Sequence, residues 1–294
     1  MANLAIHIVG SVFIFILGIW HLVSSFKAHL KTPREYTAKL WHPLPSRCCK
    51  HLELYLQLVG ILLAIAYNLS ISSDFNPLIK GTTPVHHLLS LQSAAVLCVF
   101  LIVVLAVLAS ESNGGCRLPI PGEALFLMAA SAFGIQWAML RAGASLTSDI
   151  EGKCESLLGV TAALCCASAI VLSLRPKAFV ADVALSSALC LQGLWFLQSG
   201  LSLHVESFVP QGCHRLLDVP GHVEGSTQCD LDDYKLRAFV LLDLLFVVHV
   251  IIVVIIVLTV CGLVSRVLGV RRHGGYEPLD NSNHREMVFV KTEP

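Results

Sequence analysis

Charge is scarce in this chain: only 14% of its 294 residues are Asp, Glu, Lys or Arg, 55% are apolar, and the formal net charge is zero. So little charge excludes an ordinary soluble domain of this length, and the lack of a basic excess excludes nucleic acid as a partner. Catalytic signatures are missing as well. There is no G-x-x-x-x-G-K-[ST] phosphate loop, no G-x-S-x-G elbow, no dinucleotide fingerprint and no H-E-x-x-H metal spacing. The sequence therefore leans away from an enzyme, and no cofactor is expected. No Lys or Arg precedes the first apolar block, whose core exceeds the roughly 7 to 15 residues of a signal-peptide core, so that block is expected to stay in the membrane.

What the chain does contain is apolar residues in long blocks, with a mean hydropathy of +0.73. Seven blocks have about the 20 residues needed to cross roughly 30 Å of hydrocarbon at about 1.5 Å per residue. They run from Leu4 to Phe26, Leu52 to Ile71, Val85 to Ala109, Glu123 to Leu140, Ser156 to Leu174, Phe179 to Leu203 and Ala238 to Val264. The expected fold class is all-α: a polytopic membrane protein with seven transmembrane helices in one bundle over residues 1–265, followed by a disordered cytosolic tail over 266–294. The seventh block is the clearest, with no Lys or Arg between Arg237 and Arg266. The fourth is the weakest, because "RLPIPGE" sets two prolines and a glycine at its start.

Orientation follows from the basic residues, which cytosolic loops retain. The stretch 27–51 holds Lys27, Lys31, Arg34, Lys39, Arg47 and Lys50 against Glu35 alone. Alternating outward from that loop puts 14 of the 20 basic residues on one face. The N-terminus is thus expected to be exoplasmic and the C-terminus cytosolic, in the plasma membrane or the endomembrane system. Cys213 and Cys229 share the long exoplasmic loop before the seventh span, where an oxidising lumen permits a disulfide. Asn68-Leu69-Ser70 is a glycosylation sequon that lies too close to the bilayer to be used.

Ionisable groups inside a bilayer are costly, and each is a candidate for function. His7, His86, His87, Asp243 and His249 fall in the exoplasmic half and form a candidate polar or metal cluster, since imidazole with carboxylate suits zinc and other transition metals. The competing reading places them singly at the interface or against neighbouring helices. Asp243 and His249 are six residues apart, about 120° off a common helical face. Nearer the cytosol, Glu53 and Gln57 share one face of the second span, and His21 and Asp182 lie at a similar level. Glu53 reads as an interfacial carboxylate compensated by Lys50 and His51, and Asp182 as one compensated by Lys177. In "LQGLWFLQSG", residues 191–200, Gln192, Trp195 and Ser199 make one stripe, read either as helix packing or as a ligand face. Gly193 and Gly200 let another helix approach closely.

The longer stretch "LQGLWFLQSGLSLHVESFVPQGCH" resembles the most characteristic segment of the transmembrane protein 45 family, also catalogued as domain of unknown function 716, and in particular its plant branch. "HIVGSVFIFILGIWHL" resembles that family's first span. The resemblance implies a seven-span protein of unsettled biochemistry, with no established activity or cofactor. The chain departs from the family where Gln136 replaces a glutamate of the fourth span and where histidines are absent between residues 88 and 203. Three functions are expected from different classes: a membrane scaffold or regulatory protein acting through partners, a small-solute or ion transporter or channel, and a seven-span metal-dependent hydrolase. The expected partners are the lipid bilayer and proteins that read the tail. There, Arg271 and Arg272 root the chain at anionic lipid, and Tyr276-Glu277-Pro278-Leu279 resembles an adaptor-read sorting signal in which Tyr276 and Leu279 fill pockets. The oligomeric state is left open.

Overall fold

The computed structural model describes residues 2–44, 50–71, 85–111, 119–147, 149–215 and 227–269. Arg271, Arg272, Tyr276 and Leu279 lie outside those residues. Within them are seven helices long and apolar enough to span a membrane: α1 (Ala2–Lys31), α2 (Leu52–Ile71), α3 (Val85–Glu111), α4 (Gly122–Gly143), α5 (Asp149–Leu174), α6 (Phe179–His204) and α7 (Asp232–Val267). The protein is an all-α, multi-pass integral membrane protein.

Several helices run past the apolar blocks, and the reason is electrostatic. α5 opens with Asp149 and Glu151 and α7 with Asp232 and Asp233, in first turns where the helix dipole favours carboxylates. These polar turns are tied to each other. Lys235 Nζ lies 2.7 Å from Asp149 and Lys153 Nζ 2.7 Å from Asp243, and the two ammonium groups stand 5.8 and 5.7 Å from the ring of Phe239. Paired in this way, α5 and α7 can continue beyond the hydrocarbon without leaving isolated charges in it.

α6 is the hub, packing against α1, α5 and α7, while α4 bridges α5 and α3, and α3 carries α2. The α1–α6 seam is close because glycine occupies it from both sides. A Cβ at Gly193 would stand 2.7 Å from the backbone nitrogen of Phe15 and 2.9 Å from the carbonyl oxygen of Ser11. At Gly18 it would meet the nitrogen of Cys190 at 2.7 Å, and at Gly200 the Cβ of His7 at 2.5 Å. Without a cohesive solvent to drive helices together in lipid, backbone proximity of this kind is a main source of packing energy.

Beyond α6 the chain forms a small antiparallel pair, β1 (Cys213–Arg215) and β2 (Thr227–Cys229), with Cys213 opposite Cys229. The two cysteines are joined as a disulfide. Gly212 turns the chain into β1 at φ +80°, and any Cβ there would run into the ring of Tyr234. Because the bridge closes a sequence separation of 16 residues, Cys213→Ser is expected to lower stability by about 3 kcal/mol on a chain-entropy basis. Thermal unfolding of purified protein, with and without reductant, measures the loss. Equal midpoints for the wild type and the variant would remove the hairpin from the list of stabilising elements.

Candidate functional site

Two carboxylates are buried at the same end of the bundle. Glu53 lies in the first turn of α2 with 5% of its side chain exposed, and Asp182 in the first turn of α6 at 1% exposure. Each gains from the positive end of its helix dipole. Burial of an ionised carboxylate is otherwise expensive, so the pairing of each oxygen decides whether the group is a liability or an anchor.

Glu53 is fully engaged. Oε1 accepts from His21 Nε2 at 2.8 Å and from Gln57 Nε2 at 3.1 Å, while Oε2 accepts from Trp20 Nε1 at 2.9 Å and from the backbone N–H of His42 at 2.8 Å. A carboxylate offers about four acceptor positions, and four donors occupy them. Asp182 Oδ2 accepts from Ser25 Oγ at 2.5 Å and from the hydroxyl of Tyr36. His21, Ser25 and His29 stand four residues apart on α1, so one stripe of that helix serves both carboxylates. His29 stacks on Phe179 with ring centroids 3.9 Å apart, and both rings meet Tyr36 edge-on.

The remaining donors come from the segment after α1, which folds back against the helix ends. Tyr36, Ala38 and Trp41 are buried, whereas Thr37 and Lys39 are exposed. The N–H of Ala38 donates to the carbonyl of Pro176 at 2.8 Å, which pins the segment to the α5–α6 turn. Burial, and then the adjacent Asp182 carboxylate, push the Tyr36 hydroxyl above the ordinary tyrosine range, so it remains a donor to Asp182. Burial, and then the nearby His21, push His42 down from 6.5 to about 3. Among the described residues its Nε2 has no partner that could share an added proton.

A depressed folded-state value means that His42 contributes stability held above about pH 6.5 and lost as pH falls towards about 3. Each unit of acidification in that window is expected to cost up to about 1.4 kcal/mol. Hydrogen exchange of residues 36–44 should therefore speed up between pH 7 and pH 5 by more than the intrinsic chemistry dictates. A corrected rate that stays flat would show that His42 does not hold the segment.

The partners differ from those nearest in sequence. Lys50 lies over the ring of Trp41 at 5.9 Å, and Glu53 is served by Trp20, His21 and His42. Asp182 takes two hydroxyls. Desolvated neutral donors and an imidazole satisfy buried oxygens at lower cost than a lysine, which keeps its own hydration by staying at the surface. Trp20, Ser25, Tyr36 and His42 went unread in the sequence. One signal was there: the inside-outside alternation over Tyr36 to Lys39 is the period of a half-buried extended segment.

The candidates for a polar or metal cluster have separate neighbours. His7 stacks on Phe196 at 4.5 Å and meets His204 edge-on at 5.2 Å. Asp243 pairs with Lys153, and His249 Nδ1 bonds the carbonyl of Leu245 at 2.7 Å with its ring edge-on to Trp195. His86 and His87 open α3, and the side chain of His86 lies outside the described residues. Among the described residues, no three His, Cys, Asp or Glu side chains are placed to hold a metal ion.

The stripe on α6 faces α5. Trp195, fully buried, donates from Nε1 to the carbonyl of Cys154 at 3.0 Å, Cys165 Sγ donates to Gln192 Oε1 at 3.8 Å, and Ser199 Oγ donates to the carbonyl of Trp195 at 2.9 Å. Asn68 Nδ2 donates back to the carbonyl of Ala64 at 2.9 Å from within α2. No curated protein matches the chain. Residues 122–262, from the first turn of α4 into the last turns of α7, match the model described as Family of unknown function (DUF716), and over this stretch the chain is similar to that family.

Proposed function

We propose that the chain is a membrane scaffold or regulatory protein of the plant-type branch, which acts through partners and has no catalytic centre of its own. The observation that carries this reading is the saturation of Glu53: four internal donors fill its acceptor positions and leave no lone pair for a substrate. Trp195 and Gln192 are likewise occupied by helix neighbours. In this reading the bundle is a rigid support, with the N-terminus exoplasmic and the C-terminus cytosolic. The basic end carrying Lys27 to Lys50 supports that orientation, as does the disulfide at the opposite end, where a lumen would be oxidising. The tail then presents Tyr276 and Leu279 to trafficking adaptors between the cell surface and endomembranes.

A transporter reading has one feature in its favour, a carboxylate and an imidazole paired within the bundle. The two readings separate in sealed proteoliposomes. A scaffold should give no protein-dependent proton, cation or small-solute flux, and Glu53→Gln should change only stability. A flux that appears with the wild type and disappears with Glu53→Gln would replace the scaffold with a transporter.

A further inference from the structure

The end of the bundle that buries Glu53 and Asp182 also gathers exposed cations from stretches far apart in sequence. Lys27 and Lys31 close α1, Lys39 lies in the folded-back segment, Arg175 and Lys177 form the α5–α6 turn, and Arg266 ends α7. Three of these lie on backbone segments that are hydrogen-bonded to each other. The bond from the Ala38 N–H to the carbonyl of Pro176 sets Lys39 beside Arg175 and Lys177, and the α5–α6 turn is itself closed by the Ala178 N–H on the carbonyl of Arg175 at 2.9 Å. All three side chains are exposed, and none has an ion pair among the described residues. The carboxylate nearest in sequence to this turn, Asp182, is buried and engaged by Ser25 and Tyr36.

Flanking Arg175 and Lys177 along the chain are two of the most exposed apolar side chains among the described residues, Leu174 at 77% and Val180 at 79%. They belong to the last turn of α5 and the first turn of α6, where spans leave the hydrocarbon. A patch of unpaired cations one turn above exposed aliphatic side chains matches an amphiphile, with an anionic headgroup above and acyl chains below. Three cations fixed by two loops also exceed what the single net charge of phosphatidylserine can neutralise, and the guanidinium of Arg175 suits the bidentate geometry of a phosphate monoester. We infer that Lys39, Arg175 and Lys177 form a binding site for the multiply phosphorylated headgroup of a phosphoinositide in the adjoining leaflet.

The test uses the full chain in phosphatidylcholine nanodiscs, where lipid reaches both faces, so the result does not depend on orientation or on the scaffold reading. The probes are short-chain phosphatidylinositol bisphosphate, short-chain phosphatidylserine and soluble inositol polyphosphate, with binding followed by native mass spectrometry. The bisphosphate lipid is expected to bind more tightly than either comparison probe. Each neutralised cation should weaken it about five-fold, so that K39Q/R175Q/K177Q together lose about a hundred-fold. K27Q/R266Q should bind like the wild type. K177Q alone, with its five-fold loss, serves if the triple variant does not fold. Three results would overturn the assignment: unchanged binding by K39Q/R175Q/K177Q, or by K177Q if it stands in; equal binding of phosphatidylserine, which makes the patch a general anionic surface; and equal binding of inositol polyphosphate, which makes it a site for free phosphate.

Discussion

Substituting Gly193 by alanine should destabilise the protein, although the same change normally stabilises a helix. Alanine has the higher helix propensity, by about 1 kcal/mol in an exposed interior, so the sign of the effect rests on what the new methyl meets. At Gly193 it meets the nitrogen of Phe15 at 2.7 Å and the oxygen of Ser11 at 2.9 Å, both backbone atoms of α1. Side chains yield by changing rotamer, whereas a helix backbone yields only by moving the helix. Overpacking costs about 1–3 kcal/mol where a core can adjust, and Gly193→Leu is expected at the top of that range or beyond. Gly262 supplies the control, since nothing lies within 4 Å of a Cβ there and Gly262→Ala should show the propensity gain alone. Thermal unfolding in one detergent decides the matter. A rise in midpoint for both alanine variants would mean that the α1–α6 seam is slack.

This seam shows what the sequence carried and where it stopped. The seven spans are legible because a bilayer imposes one length and one chemistry on every crossing segment, and the helices from Leu4 to Val264 obey it. Gly193 and Gly200 were legible as points of close approach, because a glycine inside a span has few other uses. Their partner was not. Nothing local says that Gly193 faces Ser11 and Phe15 across α1 while Gln192 and Trp195, on the same helix, face α5. The carboxylates were harder still. Sequence proximity suggested Lys50 for Glu53 and Lys177 for Asp182, the pairing that would hold if compensation were a matter of net charge. Buried oxygens need directed donors at about 2.7–3.0 Å, and these came from α1 and from an extended segment whose period-two signal spans only four residues. Of the two lysines left over, Lys50 lies over the ring of Trp41 and Lys177 is an exposed cation of the α5–α6 turn.

Removing the Glu53 carboxylate should therefore be the most damaging single change at that end of the bundle. Glu53→Ala leaves four donors without an acceptor: Trp20 Nε1, His21 Nε2, the His42 N–H and Gln57 Nε2. Each buried orphan costs about 1–3 kcal/mol, but Gln57 and His21 can partly relax, so the total is expected near the 3–5 kcal/mol seen when one partner of a buried polar pair is deleted. Glu53→Gln should fall between. It keeps one acceptor oxygen for two donors but turns an amide NH2 towards the other two, so it loses attraction on one side and adds repulsion on the same side. The damage should also be local before it is global. His42 is tethered to Glu53 through its backbone, and the same segment carries Tyr36 to Asp182 and Ala38 to Pro176. Loss of the first tether should raise hydrogen exchange across residues 36–44 in Glu53→Gln at temperatures where α6 is still protected. Uniform exchange across both segments would mean that the folded-back segment and the bundle open together, and that the carboxylate is a core residue and not a clamp.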